Sequence, residues 1–288
     1  MLARIFNISR PNAPTLSLHE WGSGEPTFLL IHGFGDGGFI WNEFSPLLAA
    51  LGRVIAVDLR GHGDSGWDAD AQYNSAAHFE DINFVVDSLR LNSIVLVGHS
   101  LGGELALRLA ARYPNRVRGL VVVDYGPELN QAGTRHIRKE FVMESRVYAK
   151  QDEYAAHLEI KLPLVSEQRR WALVKSALRP RANGGYELKR DSAMGETDPV
   201  NATALPSLWP ILKDILCPTL IVRGIGSSVL SLSVAERMVG ILPDGCLASV
   251  KLAGHAVMID NPEGFAEATL SFIRRIALNP MPEAVGIK

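Results

Sequence analysis

At 288 residues, 47% of them hydrophobic and 21% charged, the chain has the composition of a globular protein large enough for one sizeable α/β domain with an insertion. A net charge of −2 gives no electrostatic pull toward nucleic acid or an anionic membrane, so neither is expected as a partner. Cys217 and Cys246 are too few for a disulfide framework, no apolar run approaches the roughly 18 residues of a membrane span, and residues 1–7 lack a signal-length apolar segment, so a cytoplasmic protein is expected.

Residues 15–21 alternate weakly and stop at Gly22-Ser23-Gly24, an edge strand and a turn. Residues 27–31 and 54–57 are uninterrupted apolar runs, the pattern of strands covered on both faces. The first leads into His32-Gly33-Phe34-Gly35-Asp36-Gly37-Gly38, a loop whose few side chains leave backbone N–H groups open, and residues 39–51 then read as a helix. The second leads into Asp58-Leu59-Arg60-Gly61-His62-Gly63-Asp64-Ser65, best read as a turn tied together by hydrogen bonds of Asp58, Arg60 and His62. Residues 76–89 have helical spacing.

A third buried run, residues 94–97, enters Gly98-His99-Ser100-Leu101-Gly102-Gly103 and then a helix with Glu104, Arg108 and Arg112 on its polar stripe. G-x-S-x-G between a strand and a helix is a nucleophile elbow, in which glycines clear room for a strained turn that projects the serine hydroxyl. Residues 119–123 form another buried strand, ending at Asp124. Strands alternating with helices in this rhythm make βαβ units and a mostly parallel sheet, whose ligand sites lie at the carboxyl ends of the strands. Phe34, Leu101 and Asp124 fall at those ends.

The rhythm breaks after Pro127. Residues 135–147, 152–160 and 167–178 are helical in spacing, 181–186 read as a turn, and the sheet pattern resumes at 218–222. The domain reading is a core of 1–127 and 207–288 with a helical cap at 128–206. Residues 231–242, 247–250 and 262–276 supply a helix, a strand and a helix, and 279–288 read as a loose tail.

The ordered set His32-Gly33-Phe34-Gly35, Asp58 to Ser65, Gly98 to Gly103 and Gly254-His255, followed by Asn261-Pro262-Glu263, resembles the α/β-hydrolase superfamily over nearly the whole chain except the cap. The resemblance implies an eight-stranded, mostly parallel sheet with a cap inserted after the sixth strand. It also implies a serine nucleophile, an acidic partner and a histidine base in that chain order. Ser100 would be the nucleophile and His255 the base, since a hydroxyl attacks poorly until its proton is taken. The backbone N–H groups of Leu101 and Phe34 would hold the oxyanion. His99 would support the elbow.

The acid departs from the pattern. Relatives with a similar segment carry an Asp after the seventh strand where this chain has Ser228, within Arg223-Gly224-Ile225-Gly226-Ser227-Ser228-Val229-Leu230-Ser231. Asp124 could serve instead, one strand over; Ser228 could orient His255 by a neutral hydrogen bond; or hydrolysis could be lost. A rival role for Asp124 is to cap the turn at Gly126-Pro127. Losing the acid is worth roughly four orders of magnitude in the serine-protease template.

Ser100 excludes the aspartate nucleophile of haloalkane dehalogenases and epoxide hydrolases, and His99 is neither the Asn frequent in carbon–carbon hydrolases nor the Phe of haloperoxidase-like members. The leading reading is a carboxylic ester or lactone hydrolase acting on a small molecule. A C–C bond hydrolase, or a non-hydrolytic receptor, is the alternative. Phe34, Leu101 and Tyr125 are expected as pocket walls. Phe141, Tyr148, Tyr154 and Trp171 in the cap read as core as readily as pocket. No metal-ligand spacing or phosphate loop appears, so no cofactor is expected. Nothing in the sequence fixes the oligomeric state.

Overall fold

The computed structural model describes residues 3–196 and 205–278. The loose-tail reading of 279–288, and 197–204 of the cap reading, lie outside them. Strands β1 (Arg4–Ile8), β2 (Leu16–Trp21), β3 (Thr27–Ile31), β4 (Arg53–Val57), β5 (Ile94–His99), β6 (Val117–Val123), β9 (Thr219–Gly224) and β10 (Gly245–Val250) form one sheet in the order β1-β2-β4-β3-β5-β6-β9-β10. The intervening β7 (Leu178–Pro180) and β8 (Tyr186–Leu188) pair with each other in a separate hairpin. β1 pairs antiparallel with β2 and β2 with β4, and from β4 to β10 every pairing is parallel.

The apolar runs are uninterrupted because both faces are covered. Leu29, Ile31, Ile94 and Leu96 pack in one cluster with α2 (Ser75–Ser88), α3 (Leu101–Arg112) and α7 (Leu232–Ile241). Phe28, Leu30, Val95 and Val97 pack in the other with α1 (Ser45–Leu48) and α9 (Pro262–Leu278). Side chains alternate across a strand, so each run divides between two cores. Asn74 caps α2 through the Ala77 N–H and Ser231 caps α7 through the Val234 N–H.

Three local expectations fail. Residues 15–21, read as an edge strand, form β2, which is paired on both sides, by β1 and β4. The helix over 39–51 is broken into a 3₁₀ turn, Gly38–Trp41, and the short α1, where Pro46 has no N–H to continue an earlier helix. β1 escapes sequence reading because it is an exposed edge strand without an apolar run.

Between β6 and β9 the chain leaves the sheet as α4 (Gln131–Glu144), α5 (Gln151–Lys161), α6 (Glu167–Ala177) and the β7–β8 hairpin, which turns at Gly184 and Gly185 with φ of 86° and 75°. We read this layer as a cap. Tyr148, Tyr154, Leu158 and Val174 form a small core of its own. It is tied to the sheet domain by the Tyr73 hydroxyl on Asp191 (2.5 Å), by Asp191 N–H on the Gly61 carbonyl (2.8 Å) and by Lys189 with Asp64 (2.8 Å).

α3 starts at the end of β5 and passes unusually close to β3. A Cβ on Gly98 would meet the Gly102 carbonyl oxygen at 2.2 Å, and one on Gly102 would meet the Ile31 carbonyl oxygen at 2.2 Å. Neither obstacle is a side chain that can swing aside. Gly102→Ala therefore has to push α3 off the sheet, and we expect a loss of roughly 2–4 kcal/mol in urea unfolding; a loss below about 1 kcal/mol would show that the crossing is pliable.

Candidate active site

Ser100 sits between β5 and α3 with φ 51° and ψ −118°, a left-handed φ that a non-glycine residue rarely adopts. Its N–H donates to the Val123 carbonyl at 3.0 Å, which pins the turn to the end of β6. Leu101 is the first residue of α3, so its N–H has no carbonyl within the helix to bond and is free to meet an anion.

Asp124, the residue after β6, is fully buried and also has a left-handed φ of 51°. Its Oδ2 accepts His255 Nδ1–H at 2.8 Å and the Ser227 hydroxyl at 2.5 Å, and its Oδ1 accepts the Gly224 N–H at 3.3 Å. Ser227 in turn accepts N–H bonds from Val229 (3.1 Å) and Leu230 (3.2 Å), so its own proton is directed at Asp124. With Nδ1–H committed to a carboxylate, the neutral His255 ring carries its lone pair on Nε2. The alternative role for Asp124, capping the turn at Gly126-Pro127, does not describe these contacts.

Of the readings left open for the acid, Asp124 bonds His255, Ser228 makes no hydrogen bond with His255 among the described residues, and the serine that donates to the carboxylate is Ser227. The Ser228 carbonyl is instead covered by α4, where a Cβ on Gly133 would meet it at 2.1 Å. Two expected pocket walls are corrected. The side chains of Leu101 and Tyr125 pack against the sheet core beneath α3, and the buried Tyr125 hydroxyl donates to Glu104 at 3.1 Å, so neither lines the cavity. Phe34 does line it.

The loop carrying Phe34 is held by two neutral histidines that sequence reasoning had assigned no such role. His32 donates Nδ1–H to the Gly33 carbonyl (2.7 Å) and accepts the Leu59 N–H on Nε2 (2.9 Å). His62 donates Nδ1–H to the Arg60 carbonyl (2.9 Å) and accepts the Gly35 N–H on Nε2 (3.0 Å). Carbonyls only accept and amide N–H groups only donate, so each ring is fixed in one uncharged tautomer. Arg190 of the cap grips the same loop, donating to the Gly35 carbonyl at 3.1 Å. The turn at 58–65 is tied by Asp58 on the Asp64 N–H (2.9 Å) and by His62 on the Arg60 carbonyl, whereas the Arg60 side chain reaches out of it to Asp81, and Asp58 also accepts Gly38 N–H (2.6 Å) across the loop after β3.

His99 supports the elbow from beneath. Its Nε2–H donates to the His255 carbonyl at 3.0 Å, and the two rings lie 4.8 Å apart between centroids. Its buried Nδ1 therefore carries a lone pair and has no hydrogen-bond partner.

Ser100, His255, His99 and Phe34 open onto a cavity of about 350 Å³ between the sheet and the cap. One side is apolar, with Leu158, Leu162, Leu173 and Tyr154; Phe141 lines the cavity too, whereas Tyr148 and Trp171 belong to the cap core. The other side is charged. Burial works against a charged Glu144, but Lys161 and Arg190, with bonds from Lys161 (2.7 Å) and His157 (2.7 Å), outweigh it and hold the carboxyl at about 2. Among the described residues, His19, Asp58 and Asp64 come together with metal-ligand spacing, but the Asp58 oxygens are already occupied by the loop N–H groups and His19.

With this geometry in view, comparison with known proteins places the chain. The model of the alpha/beta hydrolase family matches residues 28–268, and the chain belongs to that family. Among its relatives, 2-(acetamidomethylene)succinate hydrolase of Mesorhizobium japonicum is 30% identical over 271 residues, covering 90% of this chain and 91% of the relative. An esterase of Mycobacterium tuberculosis is 27% identical over 264 residues, covering 90% and 87%. The crystal structure of E-2-(acetamidomethylene)succinate hydrolase superposes with a TM-score of 0.83 at 26% identity, covering 94% of this chain and all of the other. The protein is a hydrolase with an eight-stranded, mostly parallel sheet, and among the described residues no helix is long and apolar enough to cross a membrane.

Burial pushes the pKa values of His32, His62, His78 and His99 below the ordinary histidine value; Asp58 partly opposes this at His32, and the Arg60 charge adds to it at His78. The unfolded chain then binds more protons than the folded one once pH falls below about 6.5, so this stability is fully present above that pH and is lost on acidification. Each such group contributes up to about 1.4 kcal/mol per pH unit until its folded pKa is passed. Asp36, raised by burial to about 6, and Asp260, also raised by burial, oppose the trend with two groups against four. Urea midpoints at fixed ionic strength are expected to drop steeply from pH 7 to pH 5; a flat profile would show that the rings are not held neutral.

Proposed function

We propose that the protein is a serine hydrolase that cleaves a carboxylic ester or lactone of a small molecule through an acyl-enzyme on Ser100. The observation that carries this reading is the 2.8 Å bond from His255 Nδ1 to the buried Asp124, on the same cavity as a serine held in an elbow. Asp124 fixes the tautomer of His255, leaving Nε2 to take the Ser100 proton as Oγ attacks the carbonyl carbon. The N–H groups of Phe34 and Leu101 receive the oxyanion. Collapse of the tetrahedral intermediate expels the alkoxide, which takes the proton from His255. Water, deprotonated by His255, then attacks the acyl carbon and returns Ser100.

The 27% identical esterase supports an ester substrate, whereas the succinate derivative named for the 30% identical hydrolase points to a different bond on the same scaffold. The receptor reading draws on the serine at 228, and the carboxylate that Asp124 offers to His255 speaks against it. Two unpaired cysteines, one buried with its thiol pushed up to about 12, suit a reducing cytoplasmic setting.

The test is steady-state hydrolysis of a panel of p-nitrophenyl esters and lactones. Ser100→Ala is expected to abolish turnover, and Asp124→Asn to lower kcat by at least about a hundredfold. Ser227→Ala, which keeps the His255–Asp124 bond and removes one donor from Asp124, is expected to cost about three- to tenfold. An unchanged rate for Asp124→Asn sinks its assignment. Tight ligand binding without turnover favours the receptor, and cleavage of a 1,3-diketone in place of every ester favours the C–C hydrolase.

A further inference from the structure

Asp36 is a carboxyl the reaction above does not use. It closes the turn after Phe34, where its N–H donates to the Gly33 carbonyl at 3.3 Å, and Gly35 takes the left-handed φ of 82° that turn requires. Its side chain is 30% accessible and lines the same cavity as Ser100 and His255. Among the described residues it accepts no hydrogen bond. The polar atom beside it, His99 Nδ1 at 3.8 Å, is itself a lone pair, because His99 uses its one proton on the His255 carbonyl.

The cations that act on Asp36 are committed elsewhere. Lys161 bonds Glu144 at 2.7 Å, and Arg190 bonds Glu144 at 3.0 Å and the Gly35 and Phe141 carbonyls at 3.1 Å each. Burial raises the Asp36 carboxyl to about 6 in spite of Lys161, Arg190 and His255, as befits an acceptor that has not been given a donor. A cavity wall with an unmatched acceptor discriminates strongly, because a ligand without a donor leaves that acceptor desolvated and unpaired.

We propose that Asp36 is a specificity-determining residue that accepts a hydrogen bond from the substrate, so that the cavity selects acyl groups bearing a hydroxyl or other donor close to the scissile carbonyl. The inference rests on the ester-hydrolase reading for its kinetic test and not for its binding test. The apolar side of the cavity takes the hydrocarbon remainder of the acyl group, and Asp36 sets which end of it faces the loop after β3.

The experiment compares p-nitrophenyl butyrate with its 2-hydroxy and 3-hydroxy counterparts in the full-length protein. The native protein is expected to favour one hydroxylated ester by at least tenfold in kcat/KM. Asp36→Leu should erase that preference while holding the butyrate value within threefold. Asp36→Asn, which keeps an accepting carbonyl, should retain part of the preference and guards against a misfolded leucine variant. A native protein indifferent to both hydroxyls overturns the proposal. So does an equal loss on all three esters, the signature of a carboxyl that only steadies His99 and His255. In parallel, binding of the corresponding uncharged methyl esters to Ser100→Ala is followed by NMR titration. A tenfold preference for the hydroxylated ester that disappears in Ser100→Ala/Asp36→Leu upholds the proposal even if no ester is turned over, and equal affinities refute it.

Discussion

One carboxylate joins the ends of three neighbouring strands. Asp124 follows β6, its Gly224 and Ser227 partners end and follow β9, and His255 follows β10. A buried charge is tolerated only when donors surround it, and here the donors come from the end of β9 and from the loops after β9 and β10, which are also joined by the Gly226 N–H on the Ala253 carbonyl at 2.9 Å. The same three bonds that make the charge tolerable also fix the imidazole in one tautomer and one orientation. The burial of this charge and the orientation of the imidazole therefore depend on the same group.

The opposite wall is built on a different principle. The loop after β3 is held by neutral rings, His32 and His62, each used as donor on one nitrogen and acceptor on the other. A charged group in their place would need a counter-ion inside the sheet end, whereas an imidazole bridges an N–H and a carbonyl with no net charge. The cost is sensitivity to acid, since protonating either ring turns its acceptor into a second donor facing an amide N–H.

Much of this was legible in the sequence, for definite reasons. Central strands announce themselves as apolar runs because both faces are buried, and the elbow announces itself because Gly98 and Gly102 have no room for a methyl group. β1, half in water, has no such signature. The acid was left open among Asp124, Ser228 and none. The deciding contact lies between residues 131 apart in the chain, and which carboxylate reaches a ring depends on how far each strand runs before its loop turns. The support that Ser227 gives Asp124 had no signal in the sequence, because register in a loop, unlike register in a strand, is not set by a period of two. Leu101 and Tyr125 were expected in the pocket from their strand-end positions, but position places a backbone, and both side chains point beneath α3.

Gly133 seats the start of α4 directly on the Ser228 carbonyl, with no space for even a methyl group at that contact, so α4 is packed tightly against the loop that holds Asp124. Along α6, Arg169 reaches Glu43 and Glu263 across exposed surface where ion pairs are worth little, while Tyr73–Asp191 and Lys189–Asp64 tie the segment after the β7–β8 hairpin. This layer thus meets the sheet domain through a close-packed contact at α4 and through solvent-screened ion pairs at α6, so added salt weakens the second and leaves the first untouched.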